Sequence, residues 1–249
     1  MSALPRQSLL NLFPARSWGI VGVFGLIMTV ALGVTAAEPA EVPATPAAAP
    51  DRHPELRRLS KVDEIWLDLP GKRVIVGGKV ALSEGVLEVF ACPVLSKEHE
   101  AVVATNCPAK LVHAGLLAIG LEPGKPATFV PEYVPAQGSK VSVLVRWTDA
   151  EGKVQERPAR EWVRNTTTGK ELDVDWVFTG SGFWRDPTDG TEHYEADAGD
   201  MICVSNFPSA MLDVPIASSD ANDDLIFEAF EGRVPPHGTP VELILSSGE

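Results

Sequence analysis

The sequence predicts an α+β fold: a single β-rich domain, mostly antiparallel, with two short helices, preceded by a signal peptide and a disordered linker. Short runs of β-branched and aromatic residues recur along most of the 249-residue chain, and turn residues separate them. Two segments combine helical spacing with helix start and stop signals. The composition, 45% hydrophobic and 22% charged, is ordinary for a globular protein and argues against a polytopic membrane protein.

The strand predictions rest on alternation and on turn chemistry. Val141, Val143 and Val145 alternate with other residues, which is typical of a strand with a buried face. Asp149–Gly152 and Asp189-Gly190 have the residues of hairpin tips. The predicted strands are Glu64–Leu69, Arg73–Leu82, Val86–Ala91, Ser139–Trp147, Asp173–Phe178, Glu192–Ala196, Met201–Asn206 and Pro240–Ser246.

The first predicted helix is Pro108–Ile119. A proline in the first turn and Gly120 after the last residue are start and stop signals. Apart from Lys110 and His113 the segment is apolar or glycine, so we expect this helix to be buried.

The second predicted helix is Asn222–Glu231. Ser219 or Asp220 would cap its N-terminus. Apolar residues recur four positions apart, as in Ile226 and Phe230, and this spacing would give the helix one apolar stripe.

The first 36 residues have the order of a secretory signal peptide. Arg6 and Arg16 are followed by the uncharged run Gly19–Val34, and Val34-Thr35-Ala36 supplies the small residues that a signal peptidase recognises. The apolar run has 16 residues, whereas a spanning helix needs ~20; an uncleaved anchor is the alternative. We therefore expect an extracytoplasmic protein, periplasmic or secreted, whose mature chain has no transmembrane domain.

Residues 37–58 are the predicted linker, because Ala37–Pro50 is mostly alanine and proline and cannot bury a core. The predicted folded domain is 59–247. The whole chain carries a net charge of −13, and the first 36 residues contain two arginines and no acidic residue, so the remainder carries −15. A charge this negative argues against nucleic acid as a partner.

Two cofactor classes are not expected. The cysteines, Cys92, Cys107 and Cys203, form no C-x₂-C pair, which argues against an iron–sulfur cluster. The segment Gly120–Pro126 lacks the spacing of a phosphate loop, so no nucleotide site is predicted. The cysteines themselves leave two arrangements open: a disulfide between Cys92 and Cys107, or free structural thiols.

Four segments form a recognisable pattern. They are Lys97-Glu98-His99-Glu100, Leu111–Gly120 with its His-Ala-x-Leu-Leu core, Trp176–Trp184 and Ile202–Met211. From about residue 66 to the end, this pattern resembles the YdjY-domain proteins, in their longer, exported subgroup. The resemblance implies no reaction, because the family is one of unknown function. His99, Glu100 and His113 match its motif one for one.

His99, Glu100 and His113 are the candidate metal ligands. Imidazole and carboxylate groups suit zinc, iron, nickel or copper, so a divalent metal is the candidate cofactor. Alternatively, His113 is a core histidine bonded to backbone carbonyls and His99 is a solvated residue. Because a short strand and a tight turn connect them, we expect His99 and His113 to share one pocket.

Three classes of function fit these observations. The first is an extracytoplasmic binding or accessory domain, whose small-molecule or protein ligand would bind near His99 and His113. The second is a metal-dependent enzyme that uses these two histidines and Glu100. The third is a structural protein of the cell envelope. Whether the protein is an enzyme stays open at this point.

The signal-peptide pattern predicts the mature N-terminus. Mass spectrometry of the protein isolated from the cells that make it should find a chain that starts at or near Ala37, because the small residues at 34 and 36 direct cleavage there. A mature mass that includes residues 1–36 would contradict export with cleavage.

Overall fold

The computed structural model describes residues 51–219 and 225–248. The predicted signal peptide, the first part of the predicted linker and the start of the second predicted helix lie outside these residues. In the part of the chain that is described, no helix is both long enough and apolar enough to cross a membrane.

The strands of the described residues begin with β1 Arg57–Arg58, β2 Ile65–Asp68, β3 Arg73–Val80, β4 Val89–Pro93, β5 Ala101–Thr105, β6 Pro123–Lys125, β7 Gln137–Gly138, β8 Lys140–Thr148 and β9 Val154–Pro158. They continue with β10 Val163–Asn165, β11 Trp176–Phe178, β12 Phe183–Arg185, β13 Glu192–Tyr194, β14 Ile202–Cys203, β15 Leu212–Asp213, β16 Phe227–Ala229 and β17 Pro240–Ser247. The described part contains one α-helix, α1 Ala109–Ala118, and 3₁₀ turns at Glu98–Glu100, Ala159–Trp162 and Glu195–Ala198.

Eight of these strands close into a barrel. The hydrogen-bonded order is β3, β17, β8, β11, β15, β14, β4 and β5, and β5 pairs again with β3. The pairs β4–β5 and β14–β15 are parallel, whereas the other pairs of the ring are antiparallel. The sheet is therefore mixed, and the prediction of a mostly antiparallel fold is wrong. Alternation in the sequence reports which side of a strand is buried and does not report the direction of its neighbour.

The prediction of a second helix is also wrong for the residues that are described. Phe227–Ala229 forms β16, which pairs antiparallel with β10. Phe227 and Ala229 are buried, and Glu228 between them bonds to Arg164 on β10. The buried residues Phe227 and Ala229 are two positions apart, which is the period of a strand and not that of a helix.

The core fills the barrel with aliphatic and aromatic side chains. Alternate residues of β8 and β17 are buried, as the period of two predicts: Val141, Val143, Val145, Val241, Leu243 and Leu245. Trp176 and Phe178 of β11 belong to the same cluster. Burial of each such side chain contributes ~1.5–3 kcal/mol, so the β-rich core is the main source of stability.

Helix α1 confirms the first predicted helix, but only one face of it is buried. Val112 and Leu116 are fully buried against the core. His113 is half-buried, and Leu117, one turn later, is 46% exposed. An apolar residue on the solvent side of a helix is not needed for packing within this domain.

The three cysteines are free and buried. Of the two arrangements that the sequence leaves open, the structure has the free thiols. Burial raises the pKa of Cys92, Cys107 and Cys203, and this favours unreactive thiols over thiolates at neutral pH.

The residues before β1 contact the β-sheet although they lie within the predicted linker. The Nε2 atom of His53 lies 2.8 Å from Glu242 Oε1 on β17. The indole Nε1 of Trp66 donates a hydrogen bond to Asp51 Oδ1 at 2.7 Å. These contacts attach residues 51 and 53 to β2 and β17.

Two substitutions in α1 test which face is buried. Leu116→Asp should lower the free energy of unfolding by about 4 kcal/mol or more, because an unpaired carboxylate would enter the core. Leu117→Asp, its matched control on the exposed face, should change it by less than about 1 kcal/mol. Urea denaturation measures both, and equal midpoints would contradict this orientation of the helix.

Candidate functional site

Lys97 is at the centre of a cluster of carboxylates. Its ammonium Nζ lies 2.9 Å from Glu88 Oε2, 3.2 Å from Asp200 Oδ1 and 3.8 Å from Glu100 Oε1. The same nitrogen lies 4.2 Å from the centre of the Phe207 ring. Burial alone would lower the pKa of Lys97, but the hydrogen bond to Glu88 and the charge of Asp200 outweigh it and raise the pKa. The lysine is therefore a fixed cation that holds these carboxylates together.

His99 and Glu100 lie at the solvent side of this cluster. The Nε2 atom of His99 is 3.6 Å from Glu100 Oε1, and the side chain of His99 is 77% exposed. Burial and the neighbouring charge of Glu88 raise the pKa of Glu100. One lysine faces the three carboxyl groups of Glu88, Glu100 and Asp200, so the cluster carries net negative charge at its solvent side.

Asp200 connects this cluster to the loop after β11. The hydroxyl of Ser209 donates to Asp200 Oδ2 at 2.5 Å, and the hydroxyl of Ser181 donates to the Ser209 carbonyl at 2.6 Å. The Ser181 hydroxyl also accepts a hydrogen bond from the Ala196 N–H at 3.1 Å. Ser181 has φ +55°, a strained conformation for a residue with a Cβ, and these two hydrogen bonds hold it there.

The loop after β11 is also connected to His113 through hydrogen bonds. The Nδ1 atom of His113 lies 2.8 Å from Tyr194 Oη, and Tyr194 Oη donates to the Gly180 carbonyl at 3.0 Å. Gly180 has φ +93°, and a Cβ there would lie 2.6 Å from Pro123 Cβ, so glycine is required. The ring of His113 packs edge-on against Phe178, with centroids 4.9 Å apart.

The protonation of this centre follows from the count of protons. The hydroxyl of Tyr194 has one proton, and it donates that proton to Gly180. Tyr194 then accepts a hydrogen bond from the Nδ1–H tautomer of His113. Burial lowers the pKa of His113, although its own hydrogen bond to the Gly180 backbone favours the charged form, and burial raises the pKa of Tyr194. The pair is neutral near pH 7.

The hairpin β12–β13 projects beside this centre and exposes aromatic rings. Phe183 is 63% exposed and contacts Tyr194, with ring centroids 5.0 Å apart. Trp184 is 46% exposed and stacks on His193 at 4.7 Å. Leu117 lies one helical turn after His113 and shares its face of α1. Phe183 pairs with Tyr194 and Trp184 with His193, so the two pairs lie on opposite faces of the hairpin. We call the exposed hairpin residues Phe183, Trp184 and His193, together with His113 and Leu117 of α1, the hairpin surface.

The structure describes no direct contact between His99 and His113, which the sequence predicts to share one pocket. His99 contacts Glu100, whereas His113 contacts Tyr194 and Phe178. A chain of polar contacts joins the two positions through Lys97, Asp200, Ser209, Ser181, Gly180 and Tyr194. Among the described residues, no group of three or more His, Cys, Asp or Glu side chains has the geometry to hold a metal ion. The assignment of His99, Glu100 and His113 as metal ligands stays a prediction.

Sequence reasoning missed Tyr194 and Asp200 as partners in this site. Tyr194 is 81 residues from His113, and no local motif marks it. Ser181 and Ser209 lie within segments that carry the family resemblance, but their link becomes visible only when β11 and β15 pair. Two cavities, of about 580 and 520 Å³, share no lining residue with this network.

Removal of the Tyr194 hydroxyl tests the tautomer. In the native protein, ¹⁵N NMR should show His113 with its proton on Nδ1, and Tyr194→Phe should shift the proton to Nε2 because Nδ1 loses its acceptor. The substitution should also cost about 1–3 kcal/mol of stability, since the site loses both hydrogen bonds of the Tyr194 hydroxyl. Tyr133→Phe is the matched control, because the hydroxyl of Tyr133 has no partner among the described residues. A native His113 protonated on Nε2 would contradict this hydrogen-bond order.

Comparison with known families identifies the domain that contains these residues. A model of the YdjY domain matches residues 65–246, which include the whole network from Glu88 to Ser209. No curated protein matches the chain, and no solved structure matches it. The match spans nearly three quarters of the sequence and the complete barrel, so the chain belongs to the YdjY-domain family.

Proposed function

We propose that this YdjY-domain protein is an extracytoplasmic accessory domain that binds a polypeptide partner through the hairpin surface. The proposal that it acts outside the cytoplasm rests on the signal-peptide pattern of residues 1–36. The proposal that it binds a polypeptide rests on what the barrel leaves exposed.

The exposed aromatic rings are the observation that carries the binding function. Trp66, Trp162 and Trp176 are almost fully buried, so the domain has room for tryptophan in its core. Phe183 and Trp184 are nevertheless exposed on a hairpin that Tyr194 anchors to His113. Large rings that are rigidly held at a surface are the typical anchors of protein interfaces.

The charge around these rings indicates the chemistry of the partner. The hairpin and the turn after it contain five acidic residues and one arginine: Asp186, Asp189, Glu192, Glu195, Asp197 and Arg185. Backbone N–H groups of the hairpin tip donate to Asp186 and Asp189 and lower the pKa of both carboxyl groups, so they stay charged. A segment that carries both apolar and basic side chains would complement this surface.

The geometry favours binding over catalysis. The proton of Tyr194 is committed to Gly180, and His113 is held by Tyr194, so neither is poised to activate a nucleophile in the described site. The hairpin surface thus provides apolar anchors and an acidic rim.

Site-specific photo-crosslinking in the cells that make the protein tests this function. A benzophenone side chain at position 184 or 117 should give a discrete adduct with one polypeptide, because both positions face the proposed partner. The adduct should weaken in the presence of Phe183→Ala, which removes a central anchor. Benzophenone at Val62 or Val154, which are 86% and 61% exposed and lie outside the surface, provides the matched control.

Each outcome of this experiment supports or contradicts a stated part of the proposal. An adduct from positions 184 and 117 that is missing from 62 and 154 supports the hairpin surface as the binding site. The same adduct from all four positions, or none from 184 and 117 while the protein is folded, contradicts it. Loss of the adduct at high salt would support the basic chemistry of the partner, whereas a salt-independent adduct would contradict that part alone.

A further inference from the structure

A second site lies on the barrel away from the hairpin surface, at Asp213 of β15. The side chain of Asp213 is fully buried. Its Oδ1 atom accepts hydrogen bonds from Asn206 Nδ2 at 3.0 Å and from the Val214 N–H at 2.8 Å. Its Oδ2 atom accepts no hydrogen bond from any residue that the structure describes. A carboxylate with one unsolvated oxygen is costly, whereas a neutral carboxylic acid in the same place is not.

The segment between β6 and β7 covers this carboxyl group. Asp213 pairs with Val177 of β11, so their side chains lie on the same face of the sheet. Val177 packs against Ala127, Ala136 and Tyr133 of that segment. We call residues 126–136 the covering segment. The buried hydroxyl of Tyr133 has no hydrogen-bond partner among the described residues, so the covering segment offers Asp213 no compensating charge.

The groups that face Asp213 favour its neutral form. Burial raises the pKa of Asp213 to about 7, although the bonds from Asn206 and Val214 act in the opposite direction, and the charge of Asp200 raises it further. From the covering segment the facing titratable group is Tyr133, whose pKa is raised by burial and by Asp213. From β14 it is Cys203, a neutral buried thiol. From β8 the charged group on the same face is Lys140, which pairs with Val177, and it is not among the groups that shift the pKa of Asp213.

We infer that Asp213 is a proton-binding site that controls the covering segment. While the segment is closed, Asp213 holds a proton; when the segment opens, the carboxyl group reaches water and ionises. A cavity of about 520 Å³ borders the same patch, because Val177 is one of its lining residues. Opening would expose Val177 and extend that cavity. The inference is independent of the hairpin surface and uses none of its residues.

The direction of the pH dependence follows from linkage. The carboxyl group has its ordinary pKa, about 4, when it is solvated, and a pKa of about 7 when it is covered. Protons are therefore released on opening between these two values. The equilibrium constant for closing is highest below about pH 4. It falls by up to tenfold per pH unit between about pH 4 and about pH 7, and it changes no further above about pH 7.

Hydrogen exchange of two amides measures the opening directly. Thr128 N–H donates to the Val134 carbonyl, and Val134 N–H donates to the Thr128 carbonyl, within the covering segment. After correction for intrinsic exchange rates, the protection of both amides should fall about 50-fold between pH 5 and pH 7. Amides at the centre of β17, such as that of Leu243, should keep their protection, because the barrel itself does not open.

Two isosteric substitutions distinguish the effect of Asp213 on the pH dependence from the effect of another carboxyl group. Asp213→Asn should make the protection of Thr128 and Val134 independent of pH, because the amide cannot ionise. Asp173→Asn, which removes an exposed carboxylate that lines the neighbouring cavity, should keep the change of about 50-fold. Native protection without this pH dependence, or the same dependence in Asp213→Asn, would overturn the inference. If Asp213→Asn does not fold, the ¹³C titration of the native carboxyl group decides: a midpoint near 7 supports the inference and one near 4 overturns it.

Discussion

The pairing of β3 with β5 closes the barrel, and the positions of the site residues depend on that closure. Gly78 of β3 faces Thr105 of β5, and a Cβ at Gly78 would lie 2.6 Å from the Ala104 carbonyl, so the two strands approach closely only with glycine at this position. The chain reaches β5 through the 3₁₀ turn Glu98–Glu100 and leaves it towards α1. Closure therefore fixes the carboxylate cluster at one end of β5 and His113 beyond the other, and the segment around Asp200 and Ser181 bridges them.

Local sequence signals predicted the elements whose stability is local. The predicted helix Pro108–Ile119 corresponds to α1, and the predicted strand Pro240–Ser246 corresponds to β17, because proline, glycine and alternation act within a few residues. The direction of β4 against β5 had no such signal. The predicted helix Asn222–Glu231 failed because Phe227 and Ala229 are buried with the period of a strand, in the segment that pairs with β10.

Part of the site was predictable because some of its residues form a motif within a short stretch of the sequence. His99, Glu100 and His113 stand out because they form a motif in a short stretch, whereas Tyr194 is recognised only once the hairpin folds back on α1. The structure adds that the histidines are joined through intervening residues and do not touch. It also exposes the rings of Phe183 and Trp184, which hydropathy alone would assign to the core.

The polar chain from Lys97 to His113 makes the carboxylate cluster and the hairpin surface a single unit. A double-mutant cycle between Asp200→Asn and Tyr194→Phe tests it, with the free energy of unfolding measured for each variant. Because their side chains belong to one network, the double variant should differ from the sum of the single variants by at least about 0.5 kcal/mol. Additivity within about 0.3 kcal/mol would show two independent centres and contradict the claim.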